Sequence, residues 1–132
     1  MKILIAILLL LLISSNITKA KPINYYNLKC TGILNTINST SLANWNLVFK
    51  DANNADLEIL FNKKKRIANV KVSIQKNSDF HANGKWKNIH TNGNEFFRLK
   101  FINETNNMNI KHRRGTIRFE AKGKCTKFII SK

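Results

Sequence analysis

Val70-Lys71-Val72-Ser73-Ile74-Gln75 alternates apolar and polar residues with a period of two. That is the period at which successive side chains of an extended strand point to opposite faces, so Val70, Val72 and Ile74 are expected to face a core and Lys71, Ser73 and Gln75 solvent. The pattern recurs outward along the chain. Phe97, Leu99 and Phe101 alternate with Arg98 and Lys100, and Ile117, Phe119 and Ala121 repeat the motif further on. Candidate strands are Leu28–Ile37, Trp45–Lys50, Leu57–Asn62, Val70–Gln75, Phe96–Ile102, Asn109–Arg113, Thr116–Ala121 and Cys125–Ile130. Breaks fall in polar, Asn-rich stretches at Asp51–Asn54, Ser78–Gly84, Asn92–Asn94 and Asn103–Asn107. No stretch keeps a helical period. Short strands in succession predict an all-β fold, a sandwich or barrel, and the reading favours an antiparallel β-sandwich of jelly-roll type.

The N-terminus has a different composition. Lys2 precedes an apolar run from Ile3 to Ile13, and a polar stretch ends in Thr18-Lys19-Ala20 with small residues at the cleavage positions. This is the three-part pattern of a signal peptide over residues 1–20, leaving 21–132 as a single domain. The run is too short for a membrane anchor, which needs about 20 residues. The expected location is therefore secreted and extracellular. Cys30 and Cys125 are the only cysteines, and in an oxidising compartment they are read as one disulfide joining the first and last strands. Asn38-Ser39-Thr40 and Asn103-Glu104-Thr105 are sequons, so Asn38 and Asn103 are candidate glycan acceptors.

The chain has 23 Lys and Arg against 7 Asp and Glu, a formal net charge of +16. Local clusters at Lys63-Lys64-Lys65-Arg66 and Lys111-His112-Arg113-Arg114, with Lys85 and Lys87 flanking Trp86, are candidate contacts for a polyanion or an anionic membrane surface. Lysine, asparagine and isoleucine are all abundant, so compositional bias accounts for part of the charge. No paired-carboxylate, Ser/His/Asp or phosphate-loop motif is present. His81, His90 and His112 show no ligand spacing with the cysteines, so no metal and no cofactor is expected. A small ribonuclease using two of these histidines is the remaining catalytic reading, and an enzyme is not expected.

The order of elements from Trp45 to Phe119 resembles the galectin carbohydrate-recognition domain. Ala55–Lys64 stands where that family's His-x-Asn-Pro-Arg strand would lie, Val70–Ser78 ends in an Asn-containing turn, and Gly84-Lys85-Trp86 precedes Gly93-Asn94-Glu95-Phe96-Phe97-Arg98-Leu99. The resemblance implies Asn62, Lys64, Asn77 and Trp86 as sugar contacts. It also implies altered specificity, because Leu60 replaces the motif's His, Lys63 its Pro and Lys87 the Gly after Trp, and Ile89 stands where an acid is expected. Trp86 reads equally as an edge packing residue, and Trp45 as core. The expectation is a secreted, non-catalytic carbohydrate-binding protein whose partner is a glycan or other extracellular ligand, with no specific nucleic acid. The alternative is a basic effector, toxin or defence protein acting on anionic membranes or polyanions.

Overall fold

The computed structural model describes residues 25–61, 63–88 and 91–128. The expected signal peptide, Asn62 and His90 lie outside them. Eight antiparallel strands follow one another: β1 (Asn27–Thr36), β2 (Thr40–Asp51), β3 (Asn54–Phe61), β4 (Lys64–Ile74), β5 (Phe80–Lys87), β6 (Asn94–Ile102), β7 (Asn107–Arg114) and β8 (Phe119–Phe128). Each pairs with its neighbour in sequence, and β8 returns to pair with β1 from Asn27↔Phe128 to Thr36↔Phe119.

The expected β-sandwich is thereby corrected to a closed barrel. Alternation reports that each strand has one buried face, a property that sandwiches and barrels share. What separates them is whether every strand is hydrogen-bonded on both sides into one closed sheet, and period alone does not encode that. Cys30 and Cys125 stand directly opposite each other in the β1–β8 ladder, and their sulfurs are bonded. The bridge is a seam across the closure, and it is compatible with an extracellular protein.

Two strand assignments also change. Phe80–Lys87, taken as a break and a turn, is β5, with Phe80, Ala82, Gly84 and Trp86 on the inward side. Ala82 and Gly84 made that side look polar in sequence, yet the space above Gly84 is filled by neighbours. A Cβ there would lie 2.5 Å from Phe97 Cζ and 2.7 Å from Val70 Cγ1. Residues 116–121 and 125–130, taken as two strands, contribute to the single strand β8. Ile117, expected inward, lies in the preceding loop and is 38% exposed. Gly123 continues the inward side of β8 opposite Gly32, and a Cβ on it would meet Trp45 Cη2 at 2.7 Å. The interior is thus packed large against small, with Trp45 and Phe97 filling volume that glycine and alanine leave on facing strands.

Trp45 is buried and donates its indole N–H to Met108 Sδ at 3.1 Å. Around it Leu28, Leu47, Leu57, Ile59, Leu99 and Ile110 are fully buried, so the middle of the barrel is solid. An eight-stranded barrel is just wide enough to be filled this way or to hold one small ligand near an end. One end is closed by aromatic contacts: Tyr25 to Phe49 at 5.0 Å, Phe49 edge-on to Phe80 at 5.5 Å, and Phe80 stacked on Phe101 at 5.0 Å. They leave a space of only about 10 Å³. Outward positions of β5–β8 carry exposed lysines and arginines, whereas those of β1–β4 also expose Ile33, Leu42, Leu60 and Ile67.

Candidate ligand site at the barrel mouth

In a closed meander alternate connections fall at alternate ends. The β1–β2, β3–β4, β5–β6 and β7–β8 connections therefore share the end away from the aromatic plug. There the barrel opens into a cavity of about 370 Å³. Leu34, Ile37, Ile59, Trp86, Ile117 and Phe119 provide apolar wall, and Lys64, Arg66 and Arg118 bring positive charge to it. Trp86 stands on the inward side of β5, with its ring 4.5 Å from Phe97 and 5.2 Å from Phe119 at shallow interplanar angles. Its faces are in large part engaged by protein. Arg66 is held across the β4–β5 boundary by a hydrogen bond from Nη1 to the Lys87 carbonyl at 3.2 Å.

The chemistry on the β6 side centres on Glu95, which is 2% exposed. Its Oε1 accepts from Asn88 Nδ2 at 3.1 Å, the Thr116 amide at 3.1 Å and the Thr116 hydroxyl at 2.8 Å, and its Oε2 accepts from the Ile117 amide at 3.3 Å. Burial pushes the carboxyl up, but the hydrogen bonds from Asn88, Thr116 and Ile117 together outweigh it and hold the group below its ordinary value. Glu95 is thus a buried carboxylate charged at neutral pH, with neutral donors as hydrogen-bond partners. Those bonds fasten loop 115–118 to the start of β6. Gly115 makes the closeness possible: its φ is +133°, and a Cβ would strike Glu95 Oε2. A carboxylate held by four hydrogen bonds is a fixture of the mouth.

Of the residues implied by the galectin resemblance, Lys64 and Trp86 line the mouth. Asn62 lies outside the described residues. Asn77 is at the other end, in the β4–β5 turn, where its side chain donates to Asp79 Oδ2 at 3.1 Å and accepts from the Asp79 amide at 3.0 Å. Strand β5 separates it from Trp86, so these two side chains do not share a concave surface.

The basic residues divide. Lys63 is exposed in the β3–β4 turn, Lys65 pairs with Glu58 at 3.2 Å, and Arg66 faces the mouth. Lys85 and Lys87 lie on the outward side of β5. Arg113 donates to Asn83 Oδ1 at 3.3 Å, and Arg114 covers the Phe96 ring at 4.7 Å. Of the histidines, His81 sits on the outward side of β5, opposite Lys100, and half-buried His112 is 6.2 Å from the Phe119 ring. The two are not brought together. Asn38 is exposed beside the mouth, whereas Asn103, at the plugged end, donates from its side chain to the Asn77 carbonyl at 3.1 Å.

Sequence reasoning missed Glu95, Asn88, Thr116 and Arg118. Glu95 had a readable signal, since it shares the inward parity of Phe97, Leu99 and Phe101. A charge on the core side of a strand needs partners, and the partners mark the site. No family model matches the chain, and neither a curated protein nor a solved structure matches it.

Proposed function

We propose that this protein is a secreted, non-catalytic binding barrel that takes a small ligand, with an apolar body and one anionic group, into its open end. The observation that carries this reading is the cavity of about 370 Å³, in which an apolar wall faces Lys64, Arg66 and Arg118. Its size is within the ordinary range for small-molecule sites, and its chemistry is the usual one of an apolar surface with a few placed polar groups. The apolar body would lie against Leu34, Ile37, Ile117 and Phe119, and the anion would meet the cations. Glu95 and its donors hold one lip of the opening in shape. A sugar with an acid group is the form of this ligand that retains the carbohydrate reading, supported by Lys64 and Trp86 at the same mouth. Trp86 offers it less open ring face than a stacking platform normally does.

The test uses 1-anilinonaphthalene-8-sulfonate, an aromatic body bearing one sulfonate, with the folded protein. Saturable binding at one site is expected. The Arg66→Gln/Arg118→Gln variant should weaken it about tenfold, while the uncharged N-phenyl-1-naphthylamine should bind both forms alike. Displacement by decanoate supports the apolar body; displacement by galacturonate alone would replace it with a sugar. Binding unchanged in the arginine variant would overturn the proposal.

A further inference from the structure

The charges of the barrel are unevenly spread. Asp51, Asp56 and Glu58 lie on β2 and β3, where Lys50 and Lys65 pair with Asp56 and Glu58. On β5–β8 the acids are Glu95, which faces the interior, and Glu120. The outward positions of the same strands carry exposed Lys85, Arg98, Lys100, Lys111, Lys122 and Lys124. Lys64, Lys65, Arg66 and Lys71 on β4 show that cations are not confined to these strands; what distinguishes β5–β8 is that Glu120 is their one outward acid. This shortage of acids works against stability. Arg98 stands directly opposite Lys111, and like charges across a ladder repel. Glu120 alone answers Lys111 at 3.9 Å and Lys122 at 3.0 Å.

The face also has a shape. Over β7 a shallow depression of about 500 Å³ is bordered by Lys100 on β6 and by Lys122 and Lys124 on β8, with Asn107 and Asn109 between them. The depression exists because β7 presents short amides here, while its neighbours present long cationic side chains. Lys100, Asn109 and Lys122 fall in one cross-strand row. With strands about 4.8 Å apart, the two lysines of that row are about 10 Å apart, and Lys122 and Lys124 are about 7 Å apart.

We propose that the depression over β7, between Lys100 and the Lys122–Lys124 pair, is the binding site of a linear sulfated polysaccharide. Three lysines whose strand positions are about 7–10 Å apart, one of them, Lys122, also paired with Glu120, match a chain carrying more than one fixed anion per pair of sugars, and the asparagine amides between them can bond its hydroxyls. A nucleic acid fits less well. Single strands are held by aromatic stacking, and the described residues lining the depression include no aromatic. A duplex is read by an element that enters a groove, and this is a shallow depression on the outer surface of a barrel. The site is separate from the barrel mouth and does not depend on its ligand.

The experiment measures heparin binding by the disulfide-bonded chain as a function of salt. Two triple variants with equal charge loss are compared: Lys100→Gln/Lys122→Gln/Lys124→Gln at the depression, and Lys50→Gln/Lys65→Gln/Lys71→Gln on the opposite side. The first should lose at least tenfold in affinity, with a log–log salt slope shallower by about two, since each lost contact removes somewhat less than one released counterion. The second should stay within about twofold of the parent. If the first triple proves unstable, single Lys100→Gln and Lys124→Gln variants should each lose about twofold or more. Equal losses in the two triples would reduce the effect to net charge and overturn the proposal. So would equal affinity for hyaluronate, which carries carboxylates only, or for single-stranded RNA. Binding of 1-anilinonaphthalene-8-sulfonate should be unchanged by the first triple, which keeps failure here distinct from failure at the mouth.

Discussion

Replacing Glu95 with glutamine keeps the shape of the side chain and removes its charge. The glutamine oxygen can stand in for Oε1 and still accept from Asn88 and Thr116, but its amide then points a donor at the Ile117 amide. One hydrogen bond is lost and three fall from charge-assisted to neutral. Charge-assisted bonds contribute about 1.5–3 kcal/mol and neutral ones about 1 kcal/mol, giving a gross loss of at least about 3 kcal/mol. Relief of the carboxylate's burial, and release of the exposed loop 115–118 to water, offset part of it. A net loss of about 2 kcal/mol is expected, equivalent to a fall in Tm of about 8 °C for a domain of this size. Urea denaturation at a series of pH values is the assay. The Glu95 carboxyl is lowered in the folded state, so the unfolded chain takes up the proton more readily. Its contribution is fully present above the ordinary value of 4.5 and is lost as pH falls through the lowered folded value. The gap between parent and E95Q should therefore be largest at neutral pH and narrow below about pH 4. A gap under about 0.5 kcal/mol at pH 7, or one of the same size at pH 3, would refute the account of Glu95 as a charged anchor.

Further expectations concern the closure, the packing and the loop. Replacing both Cys30 and Cys125 with alanine should cost about 4–5 kcal/mol by chain entropy, since the bridge spans 95 residues, measured as a shift in the urea midpoint. Gly84→Val should destabilise by about 2–3 kcal/mol or more, because its side chain needs space held by Phe97 and Val70, and near-ultraviolet circular dichroism should register the disturbed aromatic packing. Gly115→Ala should release loop 115–118 from Glu95, seen as faster amide exchange at Thr116 and Ile117 while Trp45 stays buried by fluorescence.

Much of the all-β character was legible because Val70, Val72, Phe97, Leu99 and Phe101 face inward as their alternation requires. Strand β5 was not, because Ala82 and Gly84 occupy core positions whose volume is supplied by other strands, and a one-dimensional pattern records only what a strand itself contributes. The same lack of bulk at Gly123 broke β8 in two. Those misreadings reached the site. Once Phe80–Lys87 is a strand, Asn77 precedes it and Trp86 ends it, so the two belong to opposite ends of the barrel from connectivity alone. Closure was readable in principle, since a bond between terminal strands is more naturally met by a ring than by two stacked sheets. The mouth cations were visible as clusters, but Arg118 was hidden in what passed for strand, and Glu95 in a run that looked complete without it.

Because every ladder but one joins neighbours in sequence, and the exception joins the last strand to the first, the barrel has no privileged starting strand. The order of its strands is cyclic, and the β1–β8 junction differs from the other seven only in being bridged by sulfur instead of by a connecting loop. Phe128 and Tyr25 both belong to the plugged end, so a short linker could join them there while the chain is reopened at the β2–β3 turn between Asp51 and Asn54. Such a rearranged chain would contain the same ladders in a rotated order and leave the four connections around the mouth uncut. In this architecture the junction between first and last strand and the open end of the barrel are independent variables, and each can be moved without moving the other.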